Sequence, residues 1–239
     1  MGSDSYASSA RRASRRYGPA AGTIKAPFTA LWPVLALLAA LAHGAPARAE
    51  PITVLAFGDS LTAGYGLSHG SSFPSQLEAA LRQRGHQVEV VNAGVSGDTS
   101  AGGKARLAWS LADKPDVAIV ELGANDGLRG LPPEAMRENL DAILTTLSEQ
   151  GIPTLLTGMR APPNLGREYA AAFEQVYADL AAAHPVVFYP FFLDGVAADP
   201  RLNQDDGMHP NAEGVAAIVE GILPKVEELI ARAKAKRGA

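Results

Sequence analysis

The chain has 239 residues, with 25 Asp or Glu against 21 Lys or Arg, five His and no Cys. The lack of cysteine excludes disulfides, a thiol nucleophile and a thiolate-bound metal. Six of the basic and one of the acidic residues precede Glu50, leaving 15 basic against 24 acidic side chains. That balance of −9 argues against binding to nucleic acid or to anionic membranes.

Arg11, Arg12, Arg15, Arg16 and Lys25 form a basic leader, followed by an apolar run over residues 31–42 and the small-x-small pattern Ala47-Arg48-Ala49. Basic, apolar and small-residue regions in that order read as a secretory signal peptide. The apolar run is much shorter than the roughly 20 residues of a membrane-spanning helix, which disfavours a permanent anchor. Removal of residues 1–49 is expected to leave residues 50–239 as one domain, periplasmic or secreted, with no stable membrane association.

From Glu50 onward, short apolar runs alternate with longer helical periods. Residues 52–57 (ITVLAF) predict a strand buried on both faces. Phe73, Leu77 and Leu81 recur at helical spacing, and Gly85 stops that helix. Residues 88–91 predict a second strand, 99–112 a helix and 117–122 a third strand. Met136, Leu140, Ile143, Leu144 and Leu147 mark an amphipathic helix ended by Gly151. Strands follow at 154–157 and 186–189, separated by a helix through Phe173, Val176, Tyr177 and Leu180. A last helix is expected to begin near Pro210, a residue suited to a first turn, and to kink at Pro224. Apolar strands separated by helices imply an α/β fold: a three-layer αβα sandwich around a five-stranded parallel sheet.

In such a sheet, ligands bind beyond the carboxyl ends of the strands. Gly58-Asp59-Ser60, Asn92-Ala93-Gly94 and Gly123-Ala124-Asn125-Asp126 follow the first three strands, and Asp206-Gly207-Met208-His209 follows the fifth. All four polar segments therefore fall on one edge. A serine hydroxyl becomes a useful nucleophile when a histidine, oriented by a carboxylate, removes its proton. Of the five histidines, His43 lies in the leader, and His86 and His184 fall at the opposite edge. His69 sits in a Gly/Ser loop without an orienting acid. His209 has Asp206 three residues before it, with Asp205 as an adjacent rival. Ser60, His209 and Asp206 are thus the economical triad. Asn125, the Gly94 amide and the Ser60 amide are candidate donors to an oxyanion. Each segment alone reads as ordinary turn or cap chemistry; their joint order on one edge favours catalysis.

FGDSLTAGYGL (57–67), NAGVSGDTSAGG (92–103), ELGANDGLRG (121–130) and DGMHPNAEG (206–214) together resemble the four blocks of the SGNH, or GDSL, hydrolases. GMRAPPNLGREYAAAF (158–173) is similar to the bacterial thioesterase I, lysophospholipase L1 and arylesterase group of that superfamily. The resemblance implies a flavodoxin-like fold and hydrolysis of acyl esters and thioesters through an acyl-enzyme. It assigns Ser60 as nucleophile, His209 as base, Asp206 as its orienting acid, and Ser60, Gly94 and Asn125 to the oxyanion hole. Substrate contacts are expected from Asp59, Leu61, Asn125, Arg160, Ala161 and Pro162. The partner is a small acyl ester or thioester; no metal or other cofactor is needed, and no oligomeric state is assigned. Rival readings are a carbohydrate acetylesterase and a noncatalytic acyl-chain carrier.

Overall fold

The computed structural model describes Gly18 and residues 50–238. The predicted signal peptide otherwise lies outside the described residues. Five strands form one parallel sheet: β1 (Ile52–Gly58), β2 (Val88–Gly94), β3 (Val117–Glu121), β4 (Thr154–Thr157) and β5 (Val187–Tyr189). Their order is β2-β1-β3-β4-β5. Val54, Leu55, Ala56 and Phe57 are all buried, as befits a central strand covered on both sides.

Helices α1 (Ser60–Ala63), α2 (Phe73–Gln83), α3 (Ser100–Ser110), α4 (Ala124–Leu128), α5 (Pro133–Glu149), α6 (Arg167–Ala183) and α7 (Ala212–Arg237) complete the described fold, with two short 3₁₀ turns. Right-handed crossovers dictate the layers. The chain steps one way from β1 to β2 and the opposite way from β2 through β3 and β4 to β5. Helix α2 therefore covers one face, where it packs on α7, whereas α5 packs against both α3 and α6 on the other. The core is mostly apolar, with Phe73 edge-on to Phe192 at 5.0 Å and Phe173 edge-on to Tyr177 at 5.7 Å. Among the described residues, no helix is long and apolar enough to cross a membrane.

Several boundaries differ by one or more residues from the sequence reading, and two of the differences have a clear physical cause. Strand β2 runs on to Gly94, with Asn92, Ala93 and Gly94 paired to Ala56, Phe57 and Gly58. Turn-like composition there is overridden because Gly94 lets β2 lie against α1: a Cβ on it would stand 2.3 Å from the Ala63 nitrogen. The last helix starts at Ala212, after Pro210, because the Asn211 side chain caps the Glu213 and Gly214 amides at 3.1 and 2.9 Å. Pro224 lies within α7 and does not end it.

The chain reverses direction across the sheet between β1 and β3, so the crevice at this switch point opens beyond their carboxyl ends. Ser60 follows β1 and Asn125 follows β3.

Candidate active site

The turn after β1 is built to present a side chain. Asp59 caps α1, its Oδ1 accepting the Leu61 N–H at 3.0 Å, and Gly64 ends the helix in the left-handed region at φ 83°. Ser60 is the first helical residue, with its oxygen directed at His209: Nε2 lies 2.9 Å from Oγ. The other ring nitrogen, Nδ1, lies 2.6 Å from Asp206 Oδ2. Asp206, and not Asp205, therefore meets the imidazole. Its second oxygen accepts the Met208 and His209 amides at 2.9 and 3.0 Å. The His209 amide, then the imidazole, then the Met208 amide hold the Asp206 carboxyl down to about 2. An ionised Asp206 can only accept, so Nδ1 carries the ring proton and Nε2 is left to accept from the serine hydroxyl.

The histidine loop is tied to the serine loop by Gln204. Its Nε2 donates to the Tyr65 carbonyl at 2.8 Å and the Pro210 carbonyl at 3.0 Å, while its amide donates to the His209 carbonyl at 2.8 Å. The Tyr65 ring packs against the imidazole, centroids 4.6 Å apart.

Asn125 arrives from the other side, in the first turn of α4. One of its amide hydrogens is directed at Asp59 Oδ2, at 3.1 Å, which leaves the second free to donate. Gly94 is not brought into this arrangement. Its N–H donates to Asn92 Oδ1 at 3.0 Å, and the place of its missing Cβ faces the Asp59 carbonyl at 2.8 Å. The expectation that Gly94 donates to an oxyanion is corrected accordingly: the amide is already used and packs behind the turn. In the loop it leads into, Val95 and Asp98 also spend their amides, on the Gly58 and Val95 carbonyls. Among the described residues, the Ser96 and Gly97 amides of that loop have no acceptor within the protein.

A model of the family described as GDSL-like lipase/acylhydrolase matches residues 56–217. The chain belongs to that family. It is 40% identical over 184 residues to the esterase TesA of Pseudomonas aeruginosa, covering 77% of this chain and 92% of that one. It is 41% identical over 174 residues to an arylesterase of Vibrio mimicus, covering 72% and 87% of the two chains. Among solved structures it resembles AlinE4, an SGNH-hydrolase family esterase, at 50% identity and a TM-score of 0.64, over 75% of this chain and 96% of that one. It is a serine esterase of the SGNH type.

The esterase has a cleft of about 130 Å³ beside Ser60, lined by Leu61, Asn125, Leu128, Met159, Arg160, Pro162, Leu193, Met208 and His209 among others. Leu61, Asn125, Arg160 and Pro162 thus stand where a substrate can touch them. Arg160 stacks on the Phe191 ring at 4.3 Å, with its charge at the rim. Two expected contacts are corrected. Asp59 is 0% exposed beneath the turn and cannot reach a substrate. Ala161 packs against the core and is not part of the cleft lining. Larger cavities lie away from Ser60: about 250 Å³ around His184 and Arg232, and about 660 Å³ between α2 and α7. They contain none of the residues that converge on Ser60. Among the described residues, no group of three or more His, Asp or Glu side chains is arranged to hold a metal ion.

Burial pushes the Asp59 carboxyl up to about 6, against the opposing pull of the Leu61 amide, Asn125 and His209. Between the ordinary aspartate range, about 4, and about 6 the folded esterase therefore binds more protons here than the unfolded chain. This group's contribution to stability falls as pH rises through that window. Asp59→Asn removes the titration. Its unfolding midpoint is expected to gain on the wild type as pH rises from about 4 to about 6. Thermal melts of both proteins across that range check the sign; parallel curves would refute it.

Gln204, Tyr65 and Glu121 were not singled out from the sequence. Gln204 and Tyr65 carried no pattern of their own, because their roles depend on two loops meeting across 139 residues. Glu121 did carry a signal: an acid at the end of an otherwise apolar, buried strand.

Proposed function

We propose that Ser60, His209 and Asp206 hydrolyse acyl esters and thioesters by a two-step transfer. The single observation that carries this reading is the continuous chain of contacts from Asp206 through His209 to Ser60, at 2.6 and 2.9 Å. His209 Nε2 takes the serine proton as Oγ attacks the acyl carbon. The carbonyl becomes an oxyanion, then collapses as the alcohol or thiol leaves with that proton. Water, deprotonated by the same nitrogen, attacks the acyl-enzyme and releases the acid.

The oxyanion is met by the Ser60 amide and the free hydrogen of the Asn125 side chain. The Gly97 amide replaces Gly94 as third donor, because it is unspent and no side chain obstructs its approach. The acyl part lies against the apolar lining of Leu61, Leu128, Met159, Pro162, Leu193 and Met208. Leader residues 11–49, with their basic, apolar and small-residue regions, support export to the periplasm or beyond, with residues 50–239 as the mature domain.

A fluorophosphonate probe is expected to label the esterase once, on the peptide carrying Ser60. Prior incubation with p-nitrophenyl esters or acyl thioesters should slow the labelling. Modification at another serine would displace Ser60 from this role. Faster turnover of acetylated xylan than of acyl thioesters or lysophospholipids would move the substrate to carbohydrate.

A further inference from the structure

Beneath the nucleophile turn lies a second carboxyl that the reaction scheme does not use. Glu121 ends β3 and is 1% exposed. Its Oε2 accepts the Thr62 hydroxyl at 2.8 Å and faces the Asp59 amide at 3.4 Å. Its Oε1 is buried and receives no donor. Gly58 makes room for this carboxyl: a Cβ there would stand 2.6 Å from Glu121 Oε2 and 2.1 Å from Thr62 Oγ1. The neighbouring Asp59 is differently provided, taking the Leu61 amide on one oxygen and the Asn125 amide on the other, at 3.0 and 3.1 Å.

Two adjacent buried carboxyls do not both ionise in the same low-dielectric place. The donors decide which one keeps the proton. Asp59, holding two donors, is better able to bear the charge. Glu121, with one bare oxygen, suits the neutral acid, whose O–H needs an acceptor and not a donor. Burial, and then the Asp59 charge, drive Glu121 well above the usual carboxylate range.

We propose that Glu121 is a positioning residue for the esterase: a neutral carboxylic acid that hydrogen-bonds the Asp59 carboxylate and so holds the Asn125 amide toward the reacting carbonyl. The role rests on the esterase reading above. Glu121 touches no substrate and acts through Asp59.

Glu121→Gln keeps a donor for Asp59 and is expected to retain nearly wild-type kcat. Glu121→Leu removes the donor and is expected to lower kcat on a p-nitrophenyl ester by about 10²-fold with little change in KM, the effect of a displaced catalytic group. In an Asn125→Ala background the leucine substitution should add almost nothing, since both act through one amide. Equal kcat in the leucine variant and the wild type would overturn the proposal, as would losses that multiply in the double variant. Should Glu121→Leu fail to fold, ¹³C carboxyl spectra of the wild type decide the matter. The resonance that vanishes in Glu121→Gln should report a protonated acid at pH 7, and an ionised one would overturn the proposal. A protonated Glu121 in a protein without ester turnover would instead locate the failure in the esterase reading.

Discussion

Replacing Ser60 with alanine is expected to abolish nearly all ester turnover, by about 10³-fold or more in kcat, while the protein stays folded. The lost atom is the one His209 Nε2 faces at 2.9 Å, and among the described residues no other hydroxyl lines the cleft to take over the attack on carbon. The features that shape the turn remain: Asp59 still caps the Leu61 amide and Gly64 still ends α1 at φ 83°. Alanine is also a good helix former at the position. The Ser60 amide and Asn125 persist, so weak binding of the acyl group and a small residual rate over water are expected. The measurement is kcat and KM on a p-nitrophenyl ester, with circular dichroism as the control for folding. A folded variant retaining a tenth of wild-type turnover would remove Ser60 from the mechanism.

The second large effect is expected at Asp206, by a subtler route. In Asp206→Asn the remaining oxygen can still accept the Met208 and His209 amides, so the loop keeps its shape. The new NH₂ group, however, faces His209 Nδ1 where Oδ2 had been 2.6 Å away. A donor there turns Nδ1 into an acceptor and moves the ring proton to Nε2, which then faces Ser60 with a hydrogen and not a lone pair. The imidazole is present but in the wrong tautomer. A loss of about 10³-fold in kcat is expected, somewhat below that of a fully buried triad acid because this carboxylate is partly open to water. Wild-type Asp206, held down to about 2, stays ionised through the acid range and keeps its hold on Nδ1 there. Turnover within tenfold of wild type in Asp206→Asn would show that Asp206 does not set the tautomer.

Much of this site was legible in the chain because its parts are local. The Asp206–His209 spacing of three suits a tight turn in which the carboxylate meets both the ring and the backbone amides. The Gly-Asp-Ser step after an apolar strand marks a sharp turn for similar reasons. The errors fell where a residue's neighbours come from elsewhere. Gly94 was read as a donor because it lacks a side chain. In the fold that same property serves close packing of β2 against α1, and Asn92 takes the amide. Asp59 was expected to meet substrate, but it points inward to cap α1 and to hold Asn125.

Hydrophobic periodicity, glycine stops and the order of polar segments determined, without coordinates, that five strands alternate with helices and that four loops share one edge. These features are written in residues a few positions apart, whose side chains respond to local backbone geometry. Only the tertiary structure decided which amides remained unspent, that Gln204 joins the serine and histidine loops, and that Glu121 lies buried against Asp59 beneath Ser60. The last two outcomes depend on burial and on hydrogen-bond partners supplied across 62 or more residues. A donor or a carboxyl acquires its role only when water has been removed and the competing partners are in place.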